Sequence, residues 1–538
     1  MRSIFVSTIT ATGWLLAPAL AVLLLVATSP LSAQVTAYKQ AVAEAASQDD
    51  DLAAFYRSNG YEPIWTGDSD EHRARRAELI KTLSGASAHG LPPARYDLDG
   101  LMRKMQAAHT TRDFGLVEVA LSKTLLRYAR DVQTGLLVPS RVDSGIVRQV
   151  PYRDRQTYLT DFANGSPTDF FRSLPPSTAQ YRDLMKEKLR LEDLVAIGGW
   201  GLTVPDGALK PGQSGASVIA LRNRLVAMGY LRASATQIYD ETLQAAVERF
   251  QAAHGLTVDG VAGKGTIQEV NVSAERRLKS VIVAMERERW TNMERGARHI
   301  LVNQTDFTAR IVDRGEVTFQ TRSVIGKNTG DRRSPEFSDV MEFMVVNPSW
   351  YVPRSIVTKE YLPKLKNNPN AVGHIEITDS RGRRVNRSAV DFTKFSARSF
   401  PFAMRQPPSK SNALGLVKFM FPNKYNIYLH DTPSKSLFDR ETRAFSHGCI
   451  RLADPFDFAY ALLAAQSEDP KAEFQRVLKS GRETKIELDA PVPVHIIYRT
   501  AVMTDKGKPS YRRDIYGRDA KIWQALDQAG VALSAVQG

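Results

Sequence analysis

Cysteine is almost absent: Cys449 is the only one in 538 residues. A single cysteine makes no internal disulfide, so the fold rests on no crosslink of its own. If the chain is exported, that thiol must stay unpaired in an oxidising compartment. Histidine is scarce as well, at nine. Neither zinc-finger spacing nor a stripe of interleaved basic and aromatic residues occurs, so the net charge of +14 is not a nucleic-acid signature. It suits an anionic cell wall or membrane surface equally well. A long hydrophobic run is missing too. The apolar segment 14–26 falls short of the ~20 residues that span a bilayer. With Arg2 before it and small residues after it up to Ala33, it predicts a secretory signal peptide over residues 1–33; an uncleaved membrane anchor is the alternative.

What is present is a soluble composition, 43% hydrophobic and 24% charged. The length exceeds one core and suggests about three domains. The stretch YNIYLHDTPSKSLFDRETRAFSHGCIRL, residues 425–452, concentrates the chemistry. An apolar strand, 425–429, delivers His430 and Asp431, and Ser446-His447-Gly448-Cys449 follows. A lone cysteine is more often a silent buried hydrophobe. Here a flexible glycine and an imidazole flank it, and Glu441, Thr442 and Arg443 make the segment too polar for plain core. A nucleophile, a base and an orienting group are all available, as acyl transfer needs. An imidazole favours the thiolate. The amides of Gly448 and Cys449 can point at a developing oxyanion. Asp454-Pro455 predicts an N-cap and a helix running to about residue 465. Arg451 is either a clamp for a substrate carboxylate or a surface arginine.

HDTPSKSLFDRETRAFSHGCIRL closely resembles the signature of the L,D-transpeptidase catalytic domain, with Arg451 where the family has asparagine or arginine. The resemblance implies Cys449 as acyl-enzyme nucleophile and His430 as its base. It implies Asp431 as orienter, through side chain or carbonyl, and His447 as a group shaping the oxyanion site or assisting proton transfer. Arg451, Ser446, Trp350, Lys418 and Tyr428 are the candidate substrate contacts, with Asn347 and Ser355 behind them. The expected fold is multidomain α+β, in chain order. A helical scaffold covers 42–202, whose FYRSNGYEPIW and AHGLPPARY segments resemble that region of the larger Gram-negative enzymes. A three-helix module at 209–272, with AVERFQAAHGLTVDGVAGKGT, resembles the peptidoglycan-binding domain. An amphipathic linker helix over 274–297 packs back on the scaffold. A mainly β, sandwich-like catalytic domain spans 298–498, and a C-terminal extension spans 499–538. Within the catalytic domain, residues 350–423 form an insertion, read as a lid over the site because NPSWYVPRSI and NALGLVKFMFPNKY bracket it.

The function implied is an exported, periplasmic L,D-transpeptidase that forms 3→3 crosslinks between peptidoglycan stems, releases D-alanine, and is acylated by carbapenems. Stem peptides and glycan are the expected partners, with peripheral association with other wall-synthesis enzymes; nucleic acid is not. Oligomeric state stays open, as does the acceptor: a stem, water, a lipoprotein or a D-amino acid. No cofactor or metal is required. The competing readings are a zinc site made of His430, His447 and Cys449, which lacks a second cysteine, and a non-catalytic wall-binding scaffold, which the intact His430, Asp431, His447 and Cys449 oppose.

Overall fold

Residues 36–504 and 506–533 are described here by a computed structural model of the chain. The signal segment expected at 1–33 lies outside them. Among the described residues no helix is long and apolar enough to cross a membrane.

The N-terminal part is helical, and its longest element shows how the sequence builds it. Thr110 and Asp113 form a capping box that opens the helix Thr111–Thr134. Leu121, Leu125, Tyr128 and Val132 then recur at helical spacing and are buried against the neighbouring helices. Apolar periodicity predicts only 117–131; the cap opens the helix six residues earlier, where the apolar Phe114 and Leu116 are exposed. Gly135 ends the helix at φ +95°, where a Cβ would stand 2.6 Å from the Trp290 ring.

Glu118 of this helix is fully buried, and periodicity gives no hint of it. Its carboxylate accepts from the amides of Ile64, Trp65 and Thr66 at 2.7, 3.2 and 3.0 Å and from the Tyr56 and Thr66 hydroxyls. One side chain therefore pins the extended, aromatic segment 61–65 to the helical core. Glu118→Ala should cost about 3–5 kcal/mol, since it strands several desolvated donors at once. Urea unfolding followed by circular dichroism reads the loss, and Glu118→Gln, which keeps an acceptor oxygen, should fall between. A wild-type midpoint for the alanine variant would make the carboxylate dispensable.

Helices Ala216–Ala227, Glu241–His254 and Lys264–Val270 enclose a separate small core of Val218, Leu221, Leu225, Val247, Phe250 and Ile267. Asp240 caps the second, accepting from the Leu243 amide. The following helix, Ala274–Trp290, is read from the sequence as an amphipathic linker packed back on the scaffold, and it also buries its charged end. Glu286, Arg287, Glu288 and Arg289 are all buried. Each is paired: Arg287 with Glu336 and Asp519, Arg289 with Glu286, and Glu288 with Arg499. The helix is a spine, packed between helix Ala179–Ala196, helix Arg518–Gln528 and the catalytic β-structure.

That β-structure comprises β1 (Arg298–Asn303), β2 (Thr308–Asp313), β3 (Glu316–Gly326), β4 (Phe337–Val346), β5 (Trp350–Tyr351), β6 (Glu376–Thr378), β7 (Ala403–Gln406), β8 (Val417–Met420), β9 (Leu429–His430), β10 (Ala444–Ser446), β11 (Ile450–Leu452) and β12 (Thr484–Ile497). The main sheet runs β10-β3-β11-β9-β8-β4-β12-β1-β2, and a further β2–β3 pairing closes it into a ring. Two strands, at 484–488 and 494–498, are predicted where the single β12 lies. Pro491 and Pro493 suggest a break, but the strand carries them through a register shift between Glu487 and Val492. Strands β5, β7 and β6 form a small sheet inside the segment 350–423, over its own core of Val352, Leu362, Leu365, Ile377, Phe400 and Met404.

Alternation along β8, β9 and β11 decides where the chemistry goes. Phe419, Leu429 and Ile450 point into the barrel core. Lys418, His430 and Arg451 are in register across the same three strands and share the opposite face. Helix Pro455–Leu463 closes one side of the core. Asp454 does not cap it: its carboxylate instead accepts the Thr321 hydroxyl at 2.8 Å.

Candidate active site

A cleft of about 650 Å³ lies between the outer face of the barrel and the segment 350–361, and Cys449, His430, Arg451, Tyr428, Trp350 and His447 all line it. Cys449 is half-buried. Its sulfur lies 3.4 Å from the Asn426 carbonyl and next to the Tyr428 hydroxyl, with Trp350 lining the same cleft. Burial pushes the thiol up to about 11, against the smaller lowering effects of Tyr428 and Arg451.

His430 is 4% exposed. Its Nδ1 bonds the backbone carbonyl of Asp431. Burial, with the Arg451 cation beside it, holds the imidazole down at about 3. The resting pair is therefore a neutral thiol and a neutral imidazole, and no hydrogen bond joins them among the described residues. Arg451 is half-buried, has an Nε without a partner and, among the described residues, is in no ion pair. Burial lowers its pKa, with Cys449 the one opposing influence. It is a cation held in the cleft without a carboxylate paired to it among the described residues.

The turn that carries the thiol is fixed by its neighbours. Gly448 sits at φ +120°, where a Cβ would come within 3.2 Å of Ile427, so the position needs glycine. Its carbonyl accepts from the buried Ser334 hydroxyl at 2.6 Å. The Ser446 hydroxyl accepts from the Gly448 amide at 3.1 Å and donates to the Cys449 carbonyl.

With this geometry in place the comparisons can be read. The L,D-transpeptidase catalytic domain model matches residues 297–494. Those residues form an L,D-transpeptidase catalytic domain. A scaffold domain model matches residues 50–187, and the model described as "Putative peptidoglycan binding domain" matches 214–269. A Haemophilus influenzae protein named "Putative L,D-transpeptidase" is 34% identical over 227 residues, 41% of this chain and 45% of that one. The chain thus aligns with under half the length of that relative. Solved L,D-transpeptidase structures from Xylanimonas cellulosilytica and Stackebrandtia nassauensis align over 55% of this chain and 98% and 97% of theirs. They are 15% and 14% identical, with TM-scores of 0.17 and 0.21, too low to carry weight.

Within the L,D-transpeptidase domain several expected roles change. Asp431 lies beside His430, but its carboxylate is turned away, accepting from the amides of Thr432 and Leu416 and from Lys435. Only its carbonyl orients the imidazole. The Gly448 amide is taken by Ser446 and is not free for an oxyanion, which leaves the amide of Cys449. Ser446 is 2% exposed with its hydroxyl committed to backbone, so it holds the turn rather than a substrate. Lys418 shares the sheet face with His430 but does not line the cleft, and its burial lowers its pKa near Glu483. Asn347 is also structural, at φ +53° and donating to the Leu478 carbonyl at 3.0 Å. Ser355 lines the cleft, as do Trp350 and Tyr428.

His447 is exposed, and its Nε2 meets Glu360 at 2.6 Å. Glu360, which also pairs with Arg332 at 2.6 Å, comes from the insertion, where no periodicity marks it. Asn426 is a second residue that sequence patterning passes over; its role is played by a backbone carbonyl at φ +54°. Among the described residues no group of three or more His, Cys, Asp or Glu side chains is arranged to hold a metal.

Proposed function

We propose that this protein is a peptidoglycan L,D-transpeptidase that works through a thioester on Cys449. The observation that carries the reading is the convergence of Cys449, the buried neutral His430 and the unpaired Arg451 in one cleft. Arg451 holds a carboxylate of the donor stem, a charge-assisted contact that its own surroundings leave open. His430 takes the thiol proton as the sulfur attacks the carbonyl of the third stem residue, and the Cys449 amide meets the oxyanion. The Tyr428 hydroxyl, already on the sulfur, favours the thiolate. D-Alanine departs with the proton. The side-chain amine of a second stem then attacks the thioester, the thiol is restored, and a 3→3 crosslink forms.

The segment 350–423 caps this cleft, and the module at 209–272 binds the wall and raises the local concentration of stems. Export by the segment 1–33 places the reaction in the periplasm. Purified protein given a defined disaccharide tetrapeptide should release D-alanine and yield a 3→3 dimer by mass spectrometry. Neither product appearing, with the protein folded, would end the reading.

A further inference from the structure

A second cavity, about 540 Å³, opens where residues 147–149 of the N-terminal region meet the end of helix Ala274–Trp290 and the barrel. Three cations line it. Arg148 is half-buried, donates to the Ser338 hydroxyl at 3.1 Å and to the Ile496 carbonyl, and among the described residues is in no ion pair. Lys424 is exposed, lies over the Tyr425 ring and has no acidic partner among the described residues. Arg295 makes one pair, with Glu288 at 3.3 Å. Against them stands a single lining carboxylate, Asp339, whose oxygen takes the adjacent Val340 amide. Phe337 and Tyr425, with ring centroids 5.1 Å apart, supply an apolar wall. Burial lowers Arg148, against the opposing pull of Glu336 and with the Arg287, Arg295 and Arg499 guanidiniums adding to it.

The cavity is not separate from the catalytic cleft. Tyr425 is a wall common to the cavity and the cleft, one residue before the Asn426 carbonyl that meets the Cys449 thiol. The cleft already offers Arg451, and at its rim Arg354, to an anionic substrate; neither is in an ion pair among the described residues. A two-substrate transfer needs a second stem, itself rich in carboxylates, held nearby. We infer that this interdomain cavity binds the carboxylates of the acceptor stem, through Arg148 and Lys424, while its amine reaches past Tyr425 to the thioester.

The inference rests on the transpeptidase reading, and the test separates the two. The free tripeptide L-Ala-γ-D-Glu-meso-diaminopimelate, which has no terminal D-alanine to lose, serves as probe. Binding to the full chain carrying Cys449→Ala is measured by calorimetry, alone and with Lys424→Glu or Arg148→Gln added. Each added change should weaken binding at least about fivefold, as loss of a charge-assisted contact to carboxylate would. Because Lys424 is exposed, its variant keeps the fold even if Arg148→Gln loosens the domain contact. In chains that keep Cys449, the same two changes should leave acyl-enzyme formation within about twofold, raise the KM for the acceptor and divert the thioester to hydrolysis. Unchanged tripeptide affinity in Lys424→Glu overturns the inference, as does an equal fall in acylation and aminolysis. Absence of any acyl-enzyme in the wild type would instead strike the transpeptidase reading, with the binding arm still deciding whether the cavity holds the peptide.

Discussion

Cys449→Ala should form no covalent adduct with a tetrapeptide donor or a carbapenem, and its D-alanine release should fall by at least about 10⁴-fold. The wild type should gain one drug-sized increment in intact mass, because a strained carbonyl presents the electrophile that a donor amide does. The substitution removes one sulfur from a half-buried position whose contacts are a carbonyl and a phenol hydroxyl, so unfolding is not the expected cause. Thermal unfolding within about 2 °C of wild type would establish that. Cys449 is also the only cysteine, so the adduct cannot migrate to another thiol. A full-rate adduct on the alanine variant would place the nucleophile elsewhere and remove the basis for the thioester.

How far the sequence reveals this site follows from which interactions leave a pattern. Cys449, His430 and Gly448 are legible because side-chain chemistry and a positive φ each demand one residue type. The strand that carries His430 is legible too, since Leu429 must face the core while its neighbour faces out. Contacts made by backbone atoms are not. The Asn426 carbonyl meets the thiol, so that side chain does not betray its task, and at Asp431 the sequence leaves open whether side chain or carbonyl orients the imidazole. The Gly448 amide looks free in one dimension but is taken by Ser446, two residues back. Long-range pairing hides most completely. Glu360 reaches His447 across 87 residues, and Glu118 gathers amides from 54 residues upstream. The charged run at 286–289 gives no sign of being buried because its partners, Glu336, Arg499 and Asp519, lie far along the chain. Periodicity reports which face is apolar, not whether a charge will meet its complement.

His430→Ala should slow acylation about 10²–10⁴-fold at pH 7, the range that a general base contributes. The pH dependence distinguishes this from a merely structural loss. The imidazole, held near 3 by burial and by Arg451, is an unprotonated base at every pH above about 4. The thiol, pushed up to about 11 by burial, stays protonated through neutrality. With the base present, acylation draws on the neutral thiol, so the wild-type rate should be nearly flat from pH 5 to 9. Without it, attack needs free thiolate, whose fraction rises tenfold per pH unit until the thiol's own pKa. The His430→Ala rate should therefore climb with unit slope towards pH 10 and recover much of its deficit there. Asp431→Asn is the control, because the carbonyl that holds Nδ1 survives the change. Its rate should stay within about tenfold of wild type and its profile should stay flat. If His430→Ala keeps the wild-type profile, the base is another group; if Asp431→Asn matches His430→Ala, the carboxylate does what the geometry gives to the carbonyl.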